Sequence, residues 1–107
     1  MKFIYLTCNI SKLEQVLELL KAQGSKSYQV IENVNGVQPS GNPRMNDAVW
    51  PGSNSVVFIQ AANDETDRLF QCLKGINRDI VNESERILAV SWDCEKVLYF
   101  DENGGAE

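Results

Sequence analysis

Along "KFIYLTCNI", from Lys2 to Ile10, Phe3, Tyr5 and Thr7 take one side while Ile4, Leu6, Cys8 and Ile10 take the other. Large groups on both sides predict a central strand, covered on two faces. Ser11, followed three residues later by Glu14, has the capping-box pattern. Leu13, Val16, Leu17 and Leu20 then recur at helical spacing until Gly24 offers an end, so a first helix follows the first strand. "SYQVIENV" places Tyr28, Val30 and Val34 on one face and Gln29, Ile31 and Asn33 on the other, and "SVVFIQA" from Ser55 is rich in β-branched residues. These are the second and third strands. Asn63 or Asp64 is placed to cap a second helix, whose Leu69, Leu73, Ile76 and Ile80 share a face despite Gly75. "RILAVSWDC" from Arg86 alternates again and predicts the fourth strand.

The order βαββαβ folds most simply into an α+β, ferredoxin-like sandwich. Two split βαβ units with right-handed crossovers give a four-stranded antiparallel sheet, spatial order 4-1-3-2, with both helices on one face. Cys8 and Cys94 then lie at opposite ends of the sheet, so a disulfide between them is incompatible with this arrangement. The face without helices carries Tyr5 or Phe3, Val30 or Ile31, and Trp92 or Val90, an apolar surface that predicts oligomerisation.

One segment escapes both periodicities. "VNGVQPSGNPRMNDAVWPGSN", Val34 to Asn54, holds all three prolines, three of the seven glycines and one of the two tryptophans. A hairpin needs only two to five residues, so a connection of about twenty between strands two and three is kept for recognition. Pro39, Pro43 and Pro51 restrict it, while Gly36, Gly41 and Gly52 permit turns. Trp50 offers a large contact surface, and Arg44 can meet a carboxylate or phosphate in bidentate fashion. The topology brings the loop to the end of the sheet where Asn9 to Lys12 and Asn82 to Arg86 also arrive.

Composition narrows the function classes. The 107 residues are 43% hydrophobic and 23% charged, enough for one domain over 1–100, with a polar, acidic, flexible tail at 101–107. Ten basic against fifteen acidic residues, without basic clustering, argue against nucleic acid as a partner. The first apolar run is interrupted by Thr7, Asn9 and Ser11, which argues against a signal peptide or direct membrane insertion and for a cytoplasmic protein. Three separated cysteines, Cys8, Cys72 and Cys94, read as buried free thiols. Histidine is absent, which removes the commonest general base and a common metal ligand.

Several stretches resemble the nitrogen-regulatory P-II signalling proteins and their P-II-like relatives, over roughly residues 1–100. "KLEQV", Lys12 to Val16, is similar to the K-L-D-x-V that opens that family's first helix. "ENVNG", ending in Gly36, resembles its exit from strand two into the long T-loop, and Pro51 sits where that loop commonly returns. Arg86 before "ILAV" is similar in place to the lysine preceding the last core strand. The resemblance implies a homotrimer with projecting T-loops and ligand clefts between subunits. It also implies small effectors such as adenine nucleotides, 2-oxoglutarate or bicarbonate, a transporter or enzyme as target, and regulation rather than catalysis. Gly36, Gln38 and Arg86, through the resemblance, join Arg44 and Trp50, chosen for their own chemistry, in the ligand- or partner-binding set, with no catalytic residue and no metal ligand.

The input side departs from the family. Its glycine-rich T-G-x-x-G-D-G-K nucleotide loop corresponds here to "DIVNESERILA", which lacks glycine and sets Glu83 and Glu85 beside Arg86. Carboxylates repel phosphates and side chains obstruct a backbone cradle, so ATP binding of the P-II type is not expected and no cofactor is assigned. The uridylylated tyrosine is missing from the loop, and Ser40 is a candidate for modification. Two other classes use the same sandwich. A small cofactor-free monooxygenase or isomerase would need Asp47 or Asp93 buried with a raised pKa. A divalent-cation-tolerance-like trimer would need a metal cluster from Asp47, Glu83, Glu85 and the cysteines.

Overall fold

In the computed structural model, which describes residues 1–39 and 41–98, four strands and two helices follow one another as the alternation predicts: β1 Lys2–Asn9, α1 Leu13–Ala22, β2 Tyr28–Val34, β3 Asn54–Ala61, α2 Asn63–Arg78 and β4 Leu88–Asp93. The sheet order is β2-β3-β1-β4 with every neighbouring pair antiparallel. This is the ferredoxin-like sandwich expected. Ser40 and the tail at 101–107 lie outside the described residues.

Register decides which side chains meet. Ile4 stands opposite Ile59 and Leu6 opposite Val57. These residues and Cys8 are buried against Leu13, Val16 and Leu20 of α1 and Leu69 and Leu73 of α2. Cross-strand partners share a face, so Phe3, Tyr5, Phe58, Val90 and Trp92 lie together on the other side. There Phe3 stacks on Phe58 with centroids 5.8 Å apart and meets Trp92 edge-on at 5.2 Å. In β2 it is Ile31, opposite Val56, that belongs to this open face, whereas Val30 pairs with Val57 on the helix side.

The end of α1 follows from its glycine. Gly24 adopts φ +77°, which lets Ser25 N–H reach the Leu20 carbonyl and Gly24 N–H the Lys21 carbonyl, both at 3.0 Å. The helix starts correct the sequence reading. Ser11 does not cap α1, because the chain leaves β1 through a 3-10 turn, Ile10–Lys12, capped by Asn9, whose side chain accepts from Ser11 N–H at 3.0 Å. Neither Asn63 nor Asp64 is the N-cap of α2. Ala62 holds that position in extended geometry without a side-chain bond.

Ile80 falls beyond α2, which closes at Arg78 with 3-10 bonds from Asp79 to Ile76 and from Ile80 to Asn77. β4 starts at Leu88 rather than Arg86, because the Asn77 carboxamide takes both backbone groups of Ile87. It accepts from the Ile87 N–H at 2.7 Å and donates to the Ile87 carbonyl at 2.9 Å. All three cysteines are free, but only Cys8 is buried; Cys72 is exposed, one position off the inward row of α2, and Cys94 is half-buried.

Candidate functional site

The connection between β2 and β3 is an ordered base and a separate tip. At the base, Gly36 and Arg44 exchange backbone hydrogen bonds of 2.9 and 2.8 Å, an isolated antiparallel bridge that draws residues 37–39 and 41–43 together as a small lobe. A Cβ on Gly36 would stand 3.1 Å from Asn54 Nδ2, so glycine lets the Asn54 side chain come close. Asn54 in turn accepts from Arg44 Nη1 at 2.7 Å. The other arm of the same guanidinium, Nη2, donates to the Ser84 carbonyl. Gly41 packs directly on Ser84, where a Cβ would meet Ser84 Cβ at 2.8 Å. The lobe is thereby fixed to the 3-10 turn Glu83–Glu85, which Asn82 caps by accepting from Ser84 N–H at 3.0 Å.

Gln38 fastens the lobe to the sheet: its buried Nε2 donates to the carbonyls of Thr7 and Arg86, each at 3.4 Å. The loop's return is tied to the turn after β1 by Ile10 N–H donating to the Ser53 carbonyl at 3.1 Å. The three segments placed together by the topology do meet here. Among the proposed site residues, Gly36, Gln38 and Arg44 gather at this junction, and Arg86 joins them through its backbone carbonyl while its side chain turns to Ile80 and Glu83.

Trp50 stands apart from them. Asp47 Oδ1 accepts from Val49 N–H at 3.1 Å and Trp50 N–H at 2.6 Å, while Met45 N–H donates to the Trp50 carbonyl at 3.0 Å. This Asx-type closure presents Val49, 74% exposed, and Trp50, 40% exposed, at the tip. Asn46 at φ +58° and Gly52 at φ +87° complete the turn, joined by a 2.8 Å bond from Asn46 N–H to the Gly52 carbonyl.

Arg44 is 7% exposed, and both its partners are neutral. Ion pairs among the described residues join Lys2 to Asp93, Arg68 to Asp64 and Arg86 to Glu83, and Arg44 takes part in none of them. Its positive charge reaches Cys8, whose thiol burial nonetheless pushes up to about 11 from 9.0. That thiol is neutral near pH 7 and is no nucleophile. Arg86, half-exposed, approaches Glu83 Oε2 at 3.9 Å and donates to the Ile80 carbonyl at 3.4 Å.

The side chains considered for catalysis are engaged otherwise. Asp47 closes the loop tip, and Asp93 is fully exposed, its pKa lowered by the 2.6 Å bond from Lys2 and by that ammonium's charge. Asp93 therefore does not meet the condition of burial with a raised pKa that the enzyme alternative sets. Among the described residues no group of three cysteine or acidic side chains stands close enough to hold a metal ion, and no helix is long and apolar enough to cross a membrane. Sequence reasoning missed Asn54 and Ser84, and it considered Asp47 only as a catalytic or metal-binding group, not as the closure of the loop tip. Only Asp47 had a local signal, an aspartate three residues before Trp50 in a glycine- and proline-rich run.

No family model matches the sequence, and no curated protein matches it. Solved structures do match in shape. CPII, a nitrogen-regulatory P-II-like protein of Thiomonas intermedia K12 solved with ADP, AMP and bicarbonate, superposes with a TM-score of 0.68 at 13% identity, over 87% of this chain and 88% of that one. Its apo form gives 0.60 at 12% identity, over 85% and 87%. A structure from Thermus thermophilus, described as a P-II-like signalling protein, gives 0.59 at 14% identity, over 85% and 83%. The β2–β3 loop and the helices thus sit on a shared frame, and the chain has the fold of the nitrogen-regulatory P-II-like proteins.

Proposed function

We propose that the chain is a divergent P-II-like signalling protein: a homotrimer that binds a small effector at the base of its long loop and presents the loop tip to a transporter or enzyme. The observation that carries this reading is the division of the loop. Its base joins the end of β1 and the 82–86 turn, so whatever binds there acts on the loop's conformation. Its tip holds an exposed apolar pair, Val49 and Trp50, where a partner would dock. The effector cleft is assigned to Gly36, Gln38, Arg44 and Arg86, and partner contact to Trp50.

The two guanidinium groups favour an anionic effector. CPII, which shares the fold, is solved with ADP, AMP and bicarbonate, and these are the first compounds to test. Glu83 and Glu85 at the turn oppose the phosphates of a nucleotide, so a small carboxylate or bicarbonate is favoured over ATP. Regulation rather than catalysis is the assigned role.

Light scattering on a sizing column should give a mass near three times 12.0 kDa. Titration with ADP, AMP and bicarbonate should change tryptophan fluorescence, and Arg44→Ala should weaken that response at least tenfold while the mass stays trimeric. A monomer or dimer, or a fluorescence response identical in Arg44→Ala, would overturn the reading.

A further inference from the structure

Buried charges in proteins are ordinarily matched by an opposite charge or a metal. Arg44 is over nine-tenths buried and has only an amide oxygen and a backbone carbonyl as partners, with no carboxylate within ion-pairing distance among the described residues. Those two partners belong to different parts of the chain: Asn54 begins β3, and Ser84 lies in the turn before β4. A single side chain thus bridges the loop's return and the 82–86 turn, with Gly41 packed flat on Ser84 to let the two surfaces close.

We propose that Arg44 is a latch that closes the loop base onto the 82–86 turn, and that a small oxyanion, a carboxylate or a phosphate group, opens it by taking over the guanidinium. Hydrogen bonds from a guanidinium to a charged oxygen are roughly twice as strong as those to neutral acceptors, so an oxyanion outcompetes Ser84 and Asn54 once it gains access. Access requires the closed lobe to lift, because the group is otherwise covered. The inference rests on the reading of this loop as the responsive element of a P-II-like protein. It adds that the unliganded state is held shut from inside the chain.

A latch and a rigid site differ in one consequence. If the anion binds only the open form, its apparent affinity is reduced by the fraction of molecules that are open. Gly41→Ala forces a Cβ onto Ser84 and leaves Arg44 in place, so it favours the open form and tightens anion binding. A preformed site would be weakened or unaffected by the same change.

The test is hydrogen exchange on the full chain, following the Gly36, Gly41 and Arg44 amides against those of Val56 to Ile59. Without ligand, Arg44→Gln and Gly41→Ala should each speed exchange of the three loop amides about tenfold or more, leaving the strand amides unchanged. In the wild type, sodium acetate or sodium phosphate should speed the same amides, whereas sodium chloride at equal ionic strength should not. The better of the two anions identifies carboxylate or phosphate as the group recognised. Gly41→Ala should respond at severalfold lower concentration, and Arg44→Gln should not respond.

Loop exchange in Arg44→Gln equal to wild type would overturn the latch. Anions that leave the loop amides unchanged, or protect them further, would overturn its release by an oxyanion, as would a Gly41→Ala variant that binds no more tightly. These readouts need neither partner nor oligomer, so a failed trimer measurement would sink the functional reading and leave the latch standing.

Discussion

Asn77 shows how one side chain sets a boundary between elements. Its carboxamide occupies both backbone groups of Ile87, a buried residue just ahead of β4, and so replaces the rung of ladder that Ile87 would otherwise seek. Asn77→Ala leaves a buried donor and a buried acceptor unpaired, at about 1–3 kcal/mol for each. Urea unfolding should therefore show a loss of about 2–6 kcal/mol, and Asn77→Asp, which keeps the acceptor, should fall between the alanine variant and the wild type. A change below about 0.5 kcal/mol for alanine would mean that water replaces the amide. Cys8 gives a second prediction at this scale. Its thiol is raised in the fold, to about 11 from 9.0, by burial. The unfolded chain therefore ionises it first, and its contribution to stability is intact below pH 9.0 and lost as pH rises toward about 11. Urea midpoints should fall between about pH 8 and about pH 10.5, and the fall should be shallower in Cys8→Ala. The role of Asn77 was not legible in the sequence, because its partner lies ten positions away across a chain reversal, whereas the burial of Cys8 was legible from its place beside Ile4 and Leu6 in the alternation of β1.

At the scale of elements, what the sequence made legible was whatever rests on periodicity or a special backbone angle. The alternation of Ile4, Leu6 and Cys8 against Phe3 and Tyr5 holds along β1, and Gly24 ends α1 with the αL geometry that glycine tolerates. The helix starts were not legible, because a serine or aspartate near a boundary caps a helix only if the preceding strand releases the chain at the right residue. Here β1 leaves through a 3-10 turn and hands the cap to Asn9. Gly75 offers a test within a helix. It sits inside α2 with φ in the ordinary range and nothing within 4 Å of the position a Cβ would take. Gly75→Ala should then raise stability by roughly 0.5–1 kcal/mol, by lowering the entropy of the unfolded chain without a clash. The urea midpoint reads this directly. A lower midpoint would show that another surface, such as a neighbouring subunit, packs against that turn of the helix.

The whole molecule poses the question that its elements leave open, namely what covers the second face of the sheet. The order of strands and the meeting of three segments at the loop base followed from topology alone. The partners of Arg44 did not, because Asn54 and Ser84 lie ten and forty residues away and no local pattern announces them. The open face was legible as apolar, and register now gives it a centre: Phe3 between Phe58 and Trp92, with Tyr5, Ile31 and Val90 around them. Trp92 is 49% exposed at the edge of that cluster. Covering the remaining half of a tryptophan, on the order of 100 Å², supplies roughly 2–3 kcal/mol, and the trimer we propose would cover three such faces around one axis. A charge placed there has to be buried with them, which costs several kcal/mol for each subunit. Trp92→Glu should therefore bring the solution mass down toward 12.0 kDa while far-ultraviolet circular dichroism stays that of the wild type. Trp50→Ala, at the loop tip, should leave the mass unchanged and weaken only partner binding. If Trp92→Glu keeps the wild-type mass, the subunits meet through some other surface and the open face is free for a different partner. If Trp50→Ala alone dissociates the assembly, the loop is a structural arm between subunits and its role as an independent output is lost.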